Sequence, residues 1–270
     1  GKFETGYLGA TSKEESQVNE EDSSKIIIKP NVYSWRKNTV YNFFVSSYNY
    51  ERTLDSHMMK NTEWGAVAYL SHSRYGIDKE VNINNNNQFK TGYSSYPNTD
   101  QSKYPGTSGD GGSYNAPYNT SVGYLASTTG NITGVYDMSG GAHEYMASHI
   151  SGKLGKSGFT EETIASYSIK YFDVYNNVDD KTNDRTTYNY RILGDATGEI
   201  GPFSFYADAD GTKRWHSMWY GDFSTFLHVS EPWFDRGGDY NNGVTSGQFY
   251  FSRYSGDVIN YLCSRLVLVG

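Results

Sequence analysis

Two histidines and a glutamate near the middle of the chain come nearest, by residue type, to a metalloprotease site. His143 and Glu144 are adjacent, and His149 follows six residues after the first histidine. A zinc-protease helix places its two histidines one helical turn apart, so that both imidazoles lie on one face. The spacing here does not do this. The pattern favours ordinary polar positions on a strand or at a helix end.

An oxygen-rich turn, Asp208-Ala209-Asp210-Gly211, resembles the start of a calcium loop. An EF-hand needs further oxygen ligands later in its loop, including a glutamate that binds through both oxygens, and these are missing here. An ordinary Asp-Gly turn is therefore the preferred interpretation. Asp208 and Asp210 stay as weak candidates for a structural calcium site. The sequence indicates no other cofactor.

Nucleophilic chemistry finds little support in the sequence. Cys263 is the only cysteine, so an intramolecular disulfide is excluded, and no histidine or acidic residue neighbours it. Ser139 lies in Met-Ser-Gly-Gly, which is not the glycine-flanked nucleophile elbow. Phosphate-binding and dinucleotide-binding fingerprints do not occur. We therefore predict that the protein is not an enzyme.

The composition is rich in aromatic residues and poor in aliphatic ones. Hydrophobic residues make up 36% of the chain and aromatic residues 16%, with 26 tyrosines and 29 glycines. Aromatic rings bury enough apolar area to build a core, and the glycines predict many turns and long loops. A net charge of −7 without a basic stripe argues against nucleic-acid partners. The composition also argues against a helical bundle.

The first part of the chain shows a polar stretch followed by short predicted elements. Residues 1–25 are predicted to be a flexible leader or linker, because most of them are polar and acidic. A β-branched run at 26–28 predicts a short strand. Apolar spacing predicts one amphipathic helix over 38–50 and a second over 58–70.

The remainder is predicted to complete a single domain over residues 26–270. Residues 82–130 are rich in Asn, Gly, Ser and Tyr, which predicts a long loop insertion with little regular structure. No apolar run is long enough to span a membrane. Because the chain begins with Gly1 rather than methionine, we expect a processed ectodomain whose membrane anchor lies upstream.

Near its C-terminal end the chain places a polar segment between two rigid-looking runs. Residues 233–238 read Trp-Phe-Asp-Arg-Gly-Gly, and residues 265–269 read Arg-Leu-Val-Leu-Val. Between them, residues 239–263, here called the display segment, consist mostly of Tyr, Asn, Ser, Gly and Asp. This composition is typical of binding surfaces, because tyrosine supplies contact area and Asn and Ser supply adaptable hydrogen bonds. An ordinary polar loop is the alternative interpretation.

Two blocks resemble the formylglycine-generating enzyme-like family. Residues 134–145, Gly-Val-Tyr-Asp-Met-Ser-Gly-Gly-Ala-His-Glu-Tyr, are similar to its run Gly-Leu-Tyr-Asp-Met-Ser-Gly-Asn-Val-Trp-Glu-Trp; residues 236–240 and 264–268 are similar to its second block. The resemblance implies an α+β, C-type lectin-like fold with a small twisted antiparallel sheet, two helices and long irregular loops. Enzymes of this family bind copper with two cysteines after the second block. Neither cysteine is present here, so the resemblance makes oxidase activity the least favoured function.

A non-catalytic branch of this family fits better: the variable proteins of diversity-generating retroelements, which use the C-terminal segment as a diversified ligand surface. Residues 59–73 also resemble pilin-like surface proteins of gut bacteria. The resemblance implies an extracellular or bacterial cell-surface adhesin, in some cases pilus-associated, with a protein or glycan ligand at a cell or phage surface. A structural subunit without a specific ligand is the alternative. The ligand contacts it implies are Asn241, Asn242, Val244, Ser246, Gln248, Tyr250, Ser252, Tyr254, Ser255, Asp257, Asn260 and Tyr261, with Trp215 and Trp219 as neighbours.

Overall fold

Short strands and two main helices make up the regular structure, which a computed structural model describes for residues 1–95, 115–176, 192–197, 204–207, 213–217 and 219–270. The helices are α1 (Val40–Tyr50), α2 (Asn61–Ser71) and the short α3 (Glu161–Ala165). The strands are β1 (Gly6–Tyr7), β2 (Ile26–Ile27), β3 (His57–Met58), β4 (Tyr93–Ser94), β5 (Ala116–Pro117), β6 (His143–Ile150), β7 (Asp173–Tyr175), β8 (Ser204–Ala207), β9 (Lys213–Ser217), β10 (Phe223–Ser224), β11 (Trp233–Gly237), β12 (Gly247–Tyr254), β13 (Leu262–Ser264) and β14 (Leu266–Val267).

Helix α1 confirms the helix predicted over 38–50. The Thr39 side chain caps it by accepting a hydrogen bond from the Asn42 N–H at 3.2 Å, which satisfies one of the unpaired donors of the first turn. Its apolar face buries Phe43 and Phe44. The Phe44 ring stacks on Phe172 with centroids 4.6 Å apart. This face therefore anchors α1 in an aromatic core beneath the sheet.

Helix α2 begins later than the sequence predicted. Met58, predicted to be helical, instead pairs with Leu266 in the two-stranded sheet of β3 and β14. The Glu63 carboxylate accepts from the Lys60 N–H at 2.9 Å and caps the helix start. Trp64 is fully buried, and its indole N–H donates to the Gln248 carbonyl at 2.8 Å. This bond fixes α2 against β12.

The main sheet has the strand order β13-β6-β11-β12-β10-β9-β8, and β7 also pairs with β6. Strand β11 is antiparallel to both its neighbours, whereas β13 and β7 run parallel to β6 along its other edge. Helices beside a sheet of this kind confirm the α+β class. The prediction of a small antiparallel sheet is wrong in one respect, because the eight-stranded sheet is mixed. A third parallel pairing joins β10 to β12.

The N-terminal residues are part of the packed domain, which corrects the prediction of a flexible leader over 1–25. Phe3 is buried and stacks on Tyr136 with centroids 5.1 Å apart. The Glu4 carboxylate is buried and accepts hydrogen bonds from Ser34 Oγ and from the Ala142 N–H, the latter at 2.8 Å. Polar composition misled the prediction, because these contacts are to residues far away in the chain.

Two of the blocks that carry the family resemblance meet in the interior. Arg265 Nε donates to Glu144 Oε2 at 2.8 Å, and Arg265 Nη2 donates to the Asp137 carbonyl at 3.2 Å. Both charged side chains are fully buried. Because neither side chain reaches water, each charge is stabilised by the opposite charge of its partner. The pair thereby connects β6 to the residues that follow β13.

The described parts of the predicted loop insertion, residues 82–95 and 115–130, contain the short strands β4 and β5 and a 3-10 helix at Gly123–Ala126. Side-chain amides hold the first part in place. The Asn84 amide donates to the Lys90 carbonyl and to Asp137 Oδ1, each at 2.9 Å. Buried hydrogen bonds of this kind order a segment that has few apolar residues. No helix in the described part of the chain is long and apolar enough to cross a membrane.

Candidate ligand-binding face

The display segment starts at a turn that only glycine accommodates well. Gly237 and Gly238 have φ angles of +83° and +70°, in the left-handed region that side chains disfavour. A Cβ at Gly238 would lie 2.7 Å from Ser246 Oγ, and one at Gly237 would lie 3.3 Å from the Trp64 ring. The turn therefore packs tightly against Ser246 and the Trp64 ring.

The first loop of the segment, residues 239–246, is held by its own side chains. Asn242 Oδ1 accepts from the Asp239 N–H at 2.8 Å, and Ser246 Oγ donates to the Asp239 carbonyl at 2.8 Å. A short 3-10 helix at Gly243–Thr245, which contains Val244, closes the loop. Asn242 and Ser246 thus order the loop, whereas Asn241 is exposed. A preorganised loop loses less entropy when it binds a ligand.

Strand β12 carries the middle of the segment. Its alternation of Phe249 and Phe251 with polar residues is typical of a strand with one buried face and one ligand-facing face. The structure corrects this expectation over the first half, because Gln248 is fully buried and Tyr250 is only 4% exposed. From Ser252 to Tyr254 the side chains are half-buried and accessible. The accessible part of the strand is therefore its second half.

His143 lies at the centre of three tyrosines from the display segment, here called the tyrosine cluster: Tyr250, Tyr254 and Tyr261. Its ring centroid is 5.4 Å from those of Tyr250 and Tyr261 and 6.1 Å from that of Tyr254. The hydroxyls of Tyr254 and Tyr261 lie 3.2 Å apart, within hydrogen-bonding distance. Residues well separated in sequence thus form one aromatic surface.

A buried carboxylate orients the central histidine. His143 Nδ1 is 2.9 Å from Asp235 Oδ2, and Asp235 is fully buried. Asp235 pairs with Tyr145 across the β6–β11 ladder, so His143 is its diagonal neighbour on the same face of the sheet. His143 is 4% exposed, and no described residue hydrogen-bonds its second ring nitrogen, Nε2. The imidazole is therefore fixed at one nitrogen and unpaired at the other.

Burial and charge determine the protonation of this cluster. Burial disfavours the charged form of His143, but the hydrogen bond and negative charge of Asp235 outweigh it and raise its pKa. Burial raises the pKa of Asp235 despite the favourable contact with His143. Burial and the charge of Asp235 raise the pKa of Tyr250 and Tyr254, so these phenols stay neutral.

The rim of the face is polar and accessible. Asn241 and Asn260 are exposed, and Ser252, Ser255 and Asp257 are half-buried. Ser255 Oγ donates to Asp257 Oδ1 at 2.6 Å, which orders the turn between β12 and β13. Of the contacts predicted from the sequence, Tyr250, Tyr254 and Tyr261 are brought together around His143.

The two predicted tryptophan neighbours are placed differently. Trp219 packs against Phe249 with centroids 5.4 Å apart, on the opposite face of β12 from Tyr250. The prediction that Trp219 adjoins the binding face is therefore wrong, since successive strand residues point to opposite faces. Trp215 lies in β9, which β10 separates from β12.

His143 and Asp235, here called the floor of the face, are not among the ligand contacts predicted from the sequence. One signal was present: histidine occupies the position at which the family pattern has tryptophan, inside a strand rather than a helix. The parallel and antiparallel ladders around β6 then bring it beside the display segment. The partner, Asp235, is ninety-two residues away, and local pattern cannot identify a pairing at that separation.

Cys263 and the groups that could hold a metal ion complete the description of the candidate residues. Cys263 is buried, and burial raises the pKa of its thiol well above the usual value, which favours the neutral form. A copper site of two cysteines cannot form from the one cysteine of the sequence. Among the described residues, no group of three or more His, Cys, Asp or Glu side chains is arranged to hold a metal ion. The calcium candidates Asp208 and Asp210 lie outside the described residues.

Comparison with known proteins gives no assignment. No protein-family model matches the chain, and no curated protein sequence matches it significantly. What the protein does must be argued from the face itself.

Proposed function

We propose that the protein is a non-catalytic ligand-binding protein of the bacterial cell surface. In this proposal the chain has a C-type lectin-like fold of the formylglycine-generating enzyme-like family. Its display segment forms the binding face. One observation carries the proposal: three tyrosines of the segment surround His143, which Asp235 holds in place, and the same segment exposes Asn241 and Asn260. Rigid aromatic anchors with a polar rim are the composition of binding surfaces.

The way in which the display segment is anchored supports the proposal that its sequence varies between related proteins. The Gly237-Gly238 turn and the Arg265–Glu144 pair, which fix both ends of the segment, lie outside it. Asn241 and Asn260 within it are exposed. We therefore place the protein with the variable proteins of diversity-generating retroelements. A protein or glycan ligand at a cell or phage surface is the partner, with attachment to a membrane through an upstream anchor.

A binding experiment tests the proposal. The protein is applied to arrays of glycans and bacterial surface proteins, alongside a variant with Tyr254→Ala and Tyr261→Ala. Tyr75→Ala is the matched control, because Tyr75 is 72% exposed and lies outside the display segment. The double variant is expected to lose at least about tenfold in affinity, since anchor residues of an interface contribute about 2 kcal/mol or more each. The control is expected to bind normally.

Unchanged binding by the double variant, at an unchanged melting temperature, would contradict the proposal. If no array component binds and the full-length protein assembles with itself, the structural-subunit alternative is supported. Copper-dependent oxidation of a cysteine peptide would support the enzyme alternative. A reverse-transcriptase gene beside a near-copy of the codons for residues 236–268, differing at adenines, tests the diversification itself.

A further inference from the structure

Three carboxylates, Asp235, Asp239 and Asp257, act on the floor of the binding face. Asp235 is fully buried, and its Oδ1 has no hydrogen-bond partner among the described residues. The charges of Asp235 and Asp239 act on both His143 and Tyr250. Asp257 acts in the same sense on Tyr145 beneath them. The described groups around the floor therefore create a negative potential, which a low-dielectric surface screens poorly.

The basic side chains near the face offset this potential only in part. The charge of the fully buried Arg236 acts on Asp235, while its guanidinium donates to the carbonyls of Asp195 and Ala196. Arg36, which lies near Tyr240, is almost fully buried and donates to the carbonyls of Lys13 and Asn260. Lys156 lies 3.9 Å from Asp257, but its side chain is 75% exposed, so the contact is weak. Arg253 points away, and pairs with Glu231 at 3.1 Å.

The tyrosine cluster adds a second attraction for positive charge. An aromatic ring carries negative charge on its faces, and a cation within about 6 Å of a ring centroid is stabilised by roughly 0.5–1 kcal/mol at an exposed site. Tyr254 and Tyr261 are the accessible members, and their centroids are 6.1 Å apart. This separation allows one cation to contact both rings.

The unpaired nitrogen of His143 supplies a hydrogen-bond acceptor at the same place. When Nδ1 donates its proton to Asp235, the neutral imidazole carries a lone pair on Nε2. A carboxylate behind a neutral imidazole favours a donor with positive charge. Lysine and arginine side chains are donors of this kind, whereas neutral sugars offer hydroxyls without charge.

Resting on the binding function proposed above, we propose that this face selects a basic side chain, lysine or arginine, of a protein ligand. The cation contacts Tyr254 and Tyr261 and donates a hydrogen bond to His143 Nε2. The carboxylates of Asp235 and Asp239 supply the long-range attraction. A polypeptide with exposed basic residues, and not a glycan, is then the partner.

Peptide arrays measure this preference directly. The probes are four octapeptides with the same flanking residues and a central pair of Lys, Arg, Gln or Glu. The Lys and Arg peptides are expected to bind at least about tenfold more tightly than the Glu peptide, and the Gln peptide between them. Tyr254→Leu should reduce Lys-peptide binding roughly two- to fivefold, as the loss of one cation–π contact predicts. Tyr254→Phe keeps the ring and should bind normally.

The pH dependence separates this binding from simple charge attraction. Protonation of His143 removes the acceptor on Nε2 and adds a positive charge beside the ligand cation. Lys-peptide binding is therefore expected to strengthen as the pH rises from about 6 to about 8.5, across the range in which a histidine with a raised pKa loses its proton. His143→Gln should abolish this dependence. Glu162→Gln, which removes an exposed carboxylate elsewhere, should keep it.

Equal binding of the Lys and Glu peptides, tighter binding of the Glu peptide, or no binding of the Lys peptide overturns the inference. The binding function itself is judged separately. If the glycan and protein arrays give a ligand that depends on Tyr254 and Tyr261 but the Lys peptide does not bind, the proposed function stands and the basic-ligand inference fails.

Discussion

Two charged pairs lie one residue apart on β6, and they are built for different purposes. Glu144 pairs with Arg265, and all of the guanidinium nitrogens donate to groups of the protein. His143 pairs with Asp235 through one nitrogen and leaves the other unpaired. The first pair is closed and holds the strands together. The second is open and faces the tyrosine cluster, which is the arrangement expected of a binding site.

The closed pair should be the more costly one to break. Glu144→Gln leaves the buried Arg265 without its counter-charge, so a loss of about 3–5 kcal/mol in the free energy of unfolding is expected. Chemical denaturation measures it. Glu162→Gln is the control, because Glu162 is exposed, and a change within about 0.5 kcal/mol is expected there. Equal effects for the two variants would show that the buried pair does not hold the domain.

The open pair should be less costly to remove. His143→Leu deletes a hydrogen bond to a buried carboxylate, and about 1.5–3 kcal/mol of unfolding free energy is expected to be lost. Denaturant midpoints of this variant and of Glu144→Gln give the comparison in one assay. A larger loss for His143→Leu than for Glu144→Gln would reverse the roles assigned to the two pairs.

The open pair should also make stability depend on pH. Because Asp235 raises the pKa of His143, the folded state binds the proton more tightly than the unfolded state does. Its contribution is fully present below the unfolded histidine pKa of about 6.5 and is lost as the pH rises through the raised value. Unfolding free energies measured across this range should fall with pH in the natural sequence. The fall should be smaller in His143→Leu.

The turn that starts the display segment should have the smallest effect on stability. Gly238→Ala places a side chain at a φ of +70° and close to Ser246, so a loss of about 1–2 kcal/mol is expected. Since Asn242 and Ser246 order the loop that follows this turn, the substitution should weaken ligand binding by more than the loss of stability alone explains. Normal binding at reduced stability would show that the loop does not contribute to the face.

Local sequence patterns predicted the elements that depend on local contacts. The spacing of apolar residues located α1, and the β-branched run at 26–28 located β2. The start of α2 was missed because Met58 pairs with Leu266, a partner more than two hundred residues away. Propensity cannot register a competing interaction at that distance.

The floor of the site could not be predicted for a related reason. The composition of the display segment indicated a surface, but Gln248 and Tyr250 are buried and His143 comes from another strand. The register between β6 and β11 decides which side chains share a face. The polar N-terminal residues were predicted to be flexible, but they are packed. Glu4, for example, is buried and accepts hydrogen bonds from Ser34 and Ala142.

The display segment begins after β11 and ends in β13, and these two strands pair with opposite edges of β6. Both ends of the segment are therefore fixed by the same central strand, and β12 within it pairs with β11. The entropy of closing this segment is lost when the sheet forms, whichever side chains occupy its exposed positions. In the proposed function, a new side chain at Asn241 or Asn260, both exposed, changes the ligand surface and leaves the buried residues of β12 in place.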